Sequence, residues 1–246
     1  MSDSSNPGEA LRGRVALVTG ASSGIGAALA ASLARAGVRL LLSGRDAGRL
    51  EAVAGRARAT SPQVETAAAD LEDADQVRAL AGRAEEVFAR LDLLVHAAGA
   101  LHWGPVATAP LEELDRQLAV NVRAPYLLTQ LLLPLLGAAS GQIVFLNSNA
   151  VRRPASGMAA YAASKHALLG LADCLREEVA ASGVRVLSAF PGRTATPMQQ
   201  ELRRLEGEPY DPAGLLQPDD VAALVLEALA LPPRAEVTDL YLRPRR

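Results

Sequence analysis

The chain has 246 residues, of which 50% are apolar and 21% charged, as in a globular protein with a large core. Its net charge is −2, so charge gives no reason to expect nucleic acid or an anionic membrane surface as a partner. The single cysteine, Cys174, excludes a disulfide within this sequence and a zinc site built on cysteines. Its apolar neighbours predict a buried structural thiol.

The first thirteen residues are polar and lack the apolar segment of a signal peptide. We expect residues 1–13 to form a flexible leader and residues 14–246 to form a single domain. The longest apolar runs, such as 127–137, are shorter than a membrane span. The sequence therefore predicts a soluble, cytoplasmic protein that has no membrane or nucleic-acid partner.

Short apolar runs rich in β-branched residues alternate with helical stretches along the chain. The predicted strands are 15–19, 38–43, 64–69, 93–97, 143–147, 184–190 and 237–242, and the predicted helices are 24–36, 46–58, 73–89, 111–138, 161–181 and 218–230. Nearly continuous apolar strands between helices indicate a parallel sheet covered on both faces. Right-handed crossovers then predict a doubly wound, Rossmann-like α/β sheet of about seven strands, with ligands beyond the carboxyl ends of the strands.

The first predicted strand leads into a glycine-rich turn, Gly20-Ala21-Ser22-Ser23-Gly24-Ile25-Gly26, and then into an apolar helix. Glycines at such a turn let the backbone approach a pyrophosphate, and the helix offers free N–H groups to the anion. The spacing is neither the G-x-G-x-x-G of the commonest dinucleotide fingerprint nor a P-loop, which needs a lysine. The turn favours a nucleotide site, with tight packing alone as the alternative.

Tyr161 and Lys165 stand four residues apart in an alanine-rich run, so a helix would carry both side chains on one face. Lys165 is the only lysine among the 25 basic residues of the chain. Taken alone, the pair is equally compatible with a surface cation beside a half-buried ring.

The T-G-x-x-x-G-x-G turn and the later Tyr-x-x-x-Lys together resemble the motifs of the short-chain dehydrogenase/reductase family. The resemblance implies an NAD(P)(H)-dependent oxidoreductase that interconverts a carbonyl group and an alcohol, with no metal ion. It implies that the cofactor is bound by Gly20, Ser22, Ser23, Gly24, Ile25, Gly26, Arg45, Asp70, Leu71, Ala97, Ala98, Gly99, Tyr161, Lys165, Pro191, Gly192, Thr194 and Thr196.

The residues after the second predicted strand favour NADP(H) over NAD(H). Family members that use NAD commonly place a carboxylate there for the ribose hydroxyls, whereas this chain has Gly44 and then Arg45. A guanidinium suits a 2′-phosphate, although Arg45 could also be a solvated loop charge. We expect Asp46 to cap the next helix. By resemblance Asp70 accepts from the adenine amino group, and it could equally cap the helix that follows.

The resemblance also implies the catalytic residues Asn121, Ser148, Tyr161 and Lys165. Tyr161 would be the general acid or base, its pKa lowered by Lys165 and by the oxidised nicotinamide. Ser148, thirteen residues before Tyr161, would hydrogen-bond the substrate oxygen. Asn121 would continue a proton relay, through its side chain or through a local kink of its helix.

Two further segments are informative. His96 replaces the family's usual asparagine, and that asparagine is not catalytic, so we expect no general-base role for His96. After the sixth predicted strand, the backbone around Pro191 and the side chain of Thr196 would hold the nicotinamide carboxamide. Thr196 could also cap a helix that begins at Pro197.

The substrate is not identified by the sequence. The predicted pocket wall comprises Leu101, His102, Trp103, Asn149, Arg152, Arg153, Ser156, Arg193, Met198 and residues 201–210. Trp103 suits an apolar or ring-shaped group, and Arg152 with Arg153 would suit an anion, although two exposed arginines are usually just solvated. Carrier-protein reductases of the family have docking arginines where this chain has Leu127 and Ser182, which speaks against a carrier-bound substrate.

Two alternatives of function stay open from the sequence. One is a non-enzymatic NADP(H)-binding sensor, and the other is a relative with epimerase or dehydratase chemistry. The resemblance implies a homodimer or homotetramer, assembled through helices 111–138 and 161–181 and the C-terminal strand. The long apolar faces of the two helices support a homo-oligomer.

Overall fold

The structure, a computed structural model, describes residues 7–245. Its centre is a seven-stranded sheet with the order β3-β2-β1-β4-β5-β6-β7, in which all neighbouring strands are parallel. The strands are β1 (Val15–Thr19), β2 (Arg39–Gly44), β3 (Val64–Ala68), β4 (Leu93–His96), β5 (Gln142–Leu146), β6 (Arg185–Pro191) and β7 (Asp239–Leu242). The prediction of a doubly wound, Rossmann-like parallel sheet is confirmed.

Helices cover both faces of the sheet. They are α1 (Pro7–Leu11), α2 (Gly24–Arg35), α3 (Ala47–Ala57), α4 (Ala74–Phe88), α5 (Leu111–Leu118), α6 (Ala124–Ala139), α7 (Ala159–Val179), α8 (Pro197–Glu206) and α9 (Pro218–Leu229). Successive side chains of a strand point to opposite faces, so Ala16 and Val18 join the core under α2, α3 and α9, while Val15 and Leu17 join the core under α4, α6 and α7.

Part of the predicted leader is helical. Residues 7–11 form α1, which packs on α2 and α9 because Leu11 is fully buried among their apolar side chains. Residues 1–6 of the predicted leader lie outside the described residues.

The predicted helix 111–138 contains a break in its hydrogen-bond pattern. Between α5 and α6, residues Ala119–Arg123 form a π-helical turn, a feature often found at functional sites. Counted together, Leu111–Ala139 is a 29-residue helix that could span a membrane by length and composition, with 33% of its apolar window buried. This corrects the expectation that no apolar run is long enough. Core helices of globular proteins pass the same test, and Leu128, Leu132 and Leu136 lie in the core.

Cys174 is exposed on α7, so the prediction of a buried thiol is wrong. The face of α7 that packs on the sheet carries Leu168, Ala172, Leu175 and Val179, and Cys174 lies outside this set. Its apolar neighbours in sequence belong to the other face of the helix.

Candidate active site

A large cleft of ≈ 960 Å³ lies at the carboxyl ends of the strands. It includes the point where the strand order reverses between β1 and β4, which is where doubly wound sheets bind ligands. All eighteen residues predicted to bind the cofactor line this cleft. Of the four predicted catalytic residues, Ser148, Tyr161 and Lys165 line it, and Asn121 lies buried behind it.

The glycine-rich turn after β1 leaves no room for side chains. Gly20 has φ +66°, and a Cβ there would lie 2.6 Å from the backbone of Ala98. A Cβ on Gly26 would lie 2.2 Å from the carbonyl oxygen of Gly20. The bare turn and the N-terminus of α2 therefore form a cradle that fits a pyrophosphate, whose charge the N–H groups of a helix N-terminus stabilise.

Thr19 holds this turn against the end of β4. Its hydroxyl donates to the carbonyl of Val95 and accepts from the N–H groups of Ala97 and Ala98, at 3.2–3.4 Å. The threonine of the T-G motif thus fixes the backbone on both sides of the cleft.

Two arginines face the cleft beyond β2. Arg45 is 60% exposed and forms only a loose ion pair with Glu72, at 3.8 Å. Arg49, one turn into α3, also lines the cleft. A Cβ on Gly44 would lie 3.0 Å from the hydroxyl of Ser22, so a carboxylate side chain at that position would meet Ser22. Arg49 was not among the residues predicted to bind the cofactor.

Of the aspartates Asp46, Asp70 and Asp73, two cap helices. Asp46 caps α3 by accepting from the N–H of Arg49, as predicted. The cap of α4 is Asp73, whereas Asp70 accepts from the N–H of Glu72 in the preceding turn. The alternative that Asp70 caps the helix is therefore wrong, and Asp70 and Leu71 both line the cleft.

Tyr161 and Lys165 project from the first two turns of α7 into the cleft, and both are buried. The Lys165 ammonium donates to the carbonyl oxygen of Leu146, at the end of β5, over 2.8 Å. It lies 5.8 Å from the centroid of the Tyr161 ring.

Burial is the main influence on both groups. It raises the pKa of the Tyr161 phenol, against the hydrogen bond to Ser148, which lowers it. It lowers the pKa of Lys165 to about 8. We expected Lys165 and the oxidised nicotinamide to lower the pKa of Tyr161 together, and this stays a prediction for the cofactor-bound protein.

Ser148 follows β5 and lies beside the phenol. Its hydroxyl hydrogen-bonds Tyr161 and accepts from the N–H of Ala150 at 3.1 Å, which caps the short 3-10 turn Asn149–Val151. Its own N–H donates to the side chain of Asn147 at 2.8 Å, so the serine is held at both ends.

Asn121 lies in the π-helical turn and acts as a clamp. Its side chain accepts from the N–H of Ala100 at 2.8 Å and donates to the carbonyl of the same residue at 2.9 Å. It also donates to the Ser164 hydroxyl, which in turn bonds the carbonyl of Tyr161. Because these bonds occupy the Asn121 side chain, a proton relay near Lys165 would have to run through the kinked backbone of the helix. This is the second of the two routes predicted for Asn121.

His96 is the last residue of β4, and its side chain is buried against α6. Its Nε2 hydrogen-bonds the Thr129 hydroxyl at 2.9 Å, and its ring stacks on Phe145 at 4.9 Å between centroids. Burial lowers the pKa of His96 to about 3, so the ring is neutral at neutral pH. These contacts attach the end of β4 to α6.

The segment after β6 closes the cleft. Thr196 caps α8 by accepting from the N–H of Gln199 at 3.2 Å, with Pro197 at the first helical position, as predicted. A Cβ on Gly24 would lie 3.0 Å from the methyl group of Thr196, so the glycine turn and this segment meet.

The predicted pocket wall is partly wrong. The structure brings Leu101, Asn149, Arg153, Arg193, Met198, Leu202 and Arg203 into the cleft lining, whereas His102, Trp103, Arg152 and Ser156 are outside it. The Trp103 indole packs on Gly157, where a Cβ would lie 2.5 Å from Nε1. The Arg152 guanidinium lies 3.6 Å from the centre of the Tyr241 ring. The lining residues Met158 and Arg243 had no recognisable sequence signal.

Known proteins similar to this chain are oxidoreductases. The family model of short chain dehydrogenases matches residues 14–207. The 1-deoxy-11-beta-hydroxypentalenate dehydrogenase of Streptomyces exfoliatus is 38% identical over 225 residues, which cover 89% of this chain and 80% of that protein. Glycine betaine reductase ATRR of Emericella nidulans is 34% identical over 241 residues, 96% of this chain. The chain spans about a fifth (19%) of that relative's length.

Similar solved structures contain either nicotinamide cofactor. A metagenomic short-chain oxidoreductase in complex with NADP has a TM-score of 0.83 and 34% identity, covering 96% of this chain and 99% of that one. A 3-ketoacyl-(acyl-carrier-protein) reductase from Brucella melitensis, complexed with NADH, has a TM-score of 0.82 and 29% identity, covering 94% and 97%.

Proposed function

Because the chain belongs to the short-chain dehydrogenase family and is an NAD(P)-dependent oxidoreductase acting on CH–OH groups, we propose that it interconverts a small carbonyl compound and its alcohol with Tyr161 as the general acid or base. The observation that carries this proposal is the meeting of Ser148, Tyr161 and Lys165 in one cleft with the glycine cradle. A binding protein alone would not need a buried phenol beside a serine hydroxyl and a buried ammonium.

Each residue has a role that follows from its contacts. When bound, the nicotinamide supplies or accepts the hydride. Tyr161 donates a proton to the substrate oxygen in reduction, and its phenolate accepts one in oxidation. The raised pKa of Tyr161 keeps the phenol protonated, which suits reduction. Ser148 hydrogen-bonds the same substrate oxygen as charge develops on it. Lys165 places a cation near the Tyr161 ring.

Within this mechanism, Asn121 is a positioning residue. Its contacts to Ala100 and Ser164 hold α7 against the loop that follows β4, and so set the distance between Tyr161 and the cofactor cradle. The π-helical turn leaves backbone groups out of the regular ladder, and these are available to a proton relay that starts at Lys165.

We propose NADP(H) as the preferred cofactor. Gly44 leaves no carboxylate for the ribose hydroxyls, and Arg45 and Arg49 bring two guanidinium groups to the place of a 2′-phosphate. The buried hydroxyl of Ser43, which lines the same part of the cleft, has no partner among residues 7–245 and could donate to the phosphate. One similar structure contains NADP, which agrees with this choice. Another contains NADH, so the preference of this chain has to be measured.

The assembly and location of the protein are also proposals. The exposed apolar side chains Tyr126 on α6 and Leu224 on α9 support a homodimer or homotetramer. A cytoplasmic location stays a prediction from the sequence. The name of the pentalenate relative indicates that similar enzymes oxidise small alcohols, which fits a small-molecule substrate here.

The function is tested by following the absorbance of NADPH, and separately of NADH, in the presence of ketones, quinones and sugars. We expect oxidation of NADPH with at least one ketone and slower oxidation of NADH. Tight binding of both cofactors without oxidation across the whole panel would instead support the sensor alternative. Interconversion of a sugar without net change in cofactor would support the epimerase alternative.

A further inference from the structure

We propose that the substrate carries a carboxylate or another small anionic group, and that Arg153 and Arg243 at the substrate end of the cleft bind it. This inference rests on the proposed function, because it concerns the substrate of the same site.

The charges that line the cleft differ between its two ends. The acidic lining residues, Asp46 and Asp70, follow β2 and β3, at the end predicted for the adenosine. Arg45 and Arg49 lie at the same end, so opposite charges are equal in number there. Five arginines follow β5, β6 and β7 at the other end, namely Arg153, Arg193, Arg203, Arg243 and Arg245. The chain as a whole has a net charge of −2, so the positive charge at the substrate end is a local excess.

Some of these arginines are already paired. Arg193 forms a bidentate pair with Glu206, at 2.7 and 2.8 Å, and Arg203 lies 3.3 Å from the same carboxylate. Neither Arg153 nor Arg243 forms an ion pair with any residue in the described range 7–245. Their guanidinium groups are therefore available to a ligand, and a guanidinium binds a carboxylate through two parallel N–H···O hydrogen bonds.

The backbones of both arginines lie beside segments that line the catalytic end of the cleft. The N–H of Arg153 donates to the carbonyl of Asn149 at 3.0 Å, directly after Ser148 in the chain. The Cα of Arg243 lies 3.3 Å from the position that a Cβ on Gly192 would take. Asn149 links the two segments by donating to the carbonyl of Leu242 at 3.4 Å.

Part of the wall of this end is apolar. Met158 and Leu202 form a small cluster with Tyr161, and Leu101 packs against it. A substrate that fits both features has an apolar body near Ser148 and Tyr161 and an anionic group at its far end. The cationic rim would also increase the rate at which such a substrate associates.

The test uses two matched ketones, 4-acetylbenzoate and its methyl ester, with NADPH. We expect kcat/KM for the acid to exceed that for the ester by about tenfold or more. In the double variant Arg153→Gln, Arg243→Gln this preference should fall by about tenfold, and in the wild type it should also fall as salt is raised. Arg78→Gln, an exposed arginine of α4 paired with Asp75, is the control that should keep the preference.

The proposal would be overturned by a wild-type enzyme whose kcat/KM for the ester equals that for the acid. It would also be overturned by a double variant that keeps the preference for the acid. Binding of benzoate and benzamide to the protein loaded with NADP⁺, measured by calorimetry, separates this proposal from the catalytic one. Benzoate binding that is lost in the double variant, without turnover of either ketone, would keep the anion site and reject the catalytic proposal. Turnover of the ester alone would keep the catalytic proposal and reject the anion site.

Discussion

The ammonium group of Lys165 donates to the carbonyl oxygen of Leu146 over 2.8 Å, which fixes the one lysine of the chain between α7 and the end of β5. The side chain is 3% exposed, and burial lowers the pKa of Lys165 to about 8. A buried cation with one protein acceptor costs stability, so its presence points to function.

Lys165→Met should be inactive and more stable than the wild type. Below pH 8 both the folded and the unfolded protein carry the charge, and between pH 8 and 10.5 the unfolded state binds more protons, so wild-type stability rises with pH there. The Met variant lacks the burial cost and should be about 1–3 kcal/mol more stable at pH 7, with the gain shrinking towards pH 10.5. Denaturant unfolding at pH 7 and pH 10 measures this.

Lys165→Arg is the matched control, because it keeps the charge. The larger, planar guanidinium does not fit the contact with Leu146, so this variant should be inactive without the gain in stability. A Met variant that is less stable than wild type at pH 7 and still active would contradict this view of Lys165.

His96→Asn should change how stability depends on pH. The folded pKa of His96 is about 3, below its ordinary value of 6.5, so only the unfolded state takes up the proton between these values. The wild type should lose about 2 kcal/mol between pH 7 and pH 5 from this residue, and the asparagine variant should not. The two curves of unfolding free energy against pH should therefore converge on acidification, and parallel curves would count against a buried neutral histidine.

Features set by neighbouring residues were predictable from the sequence. The caps Asp46 and Thr196, the bare glycine turn and the four-residue spacing of Tyr161 and Lys165 each follow from short-range rules of side-chain chemistry or helix geometry. The alternating apolar runs were enough for the parallel sheet, because both faces of each inner strand are buried.

Features that depend on distant contacts were not predictable. The π-helical turn is held by the bonds of Asn121 to Ala100 and Ser164, which lie 21 and 43 residues away. Nothing in the local pattern around Trp103 or Arg152 shows that one packs on Gly157 and the other on Tyr241. The burial of Leu11 likewise depends on α9, at the far end of the chain.

Arg45→Ala should weaken binding of NADPH and spare NADH. The lost interaction is a charge-assisted hydrogen bond at an exposed position, so the dissociation constant for NADPH should rise about tenfold. The constant for NADH should change by less than about twofold, as should both constants in Arg78→Ala. Fluorescence titration gives the four values, and an equal loss for both cofactors would reject Arg45 as the residue that selects NADPH.

Glu206→Gln should loosen α8 over the cleft. The Arg193 guanidinium holds the pKa of Glu206 below its ordinary value, so the bidentate pair is charged at neutral pH and ties the end of α8 to the loop after β6. Losing the charge should cost about 1–3 kcal/mol locally and speed hydrogen exchange in residues 197–206. In Glu201→Gln, which breaks the exposed pair with Arg204 on the same helix, exchange should stay within about twofold of wild type. Equal exchange in the two variants would show that the Arg193 pair does not hold the helix.

In the proposed mechanism, Tyr161 transfers the proton to or from the substrate oxygen. Tyr161→Phe removes only the hydroxyl, which bonds Ser148, and keeps the ring in its apolar cluster. The kcat of NADPH-dependent ketone reduction by this variant, measured together with its dissociation constant for NADPH, tests this role. We expect kcat to fall by about 10²–10⁴-fold while the dissociation constant stays within about twofold. A phenylalanine variant that keeps wild-type kcat would rule out Tyr161 as the group that transfers the proton.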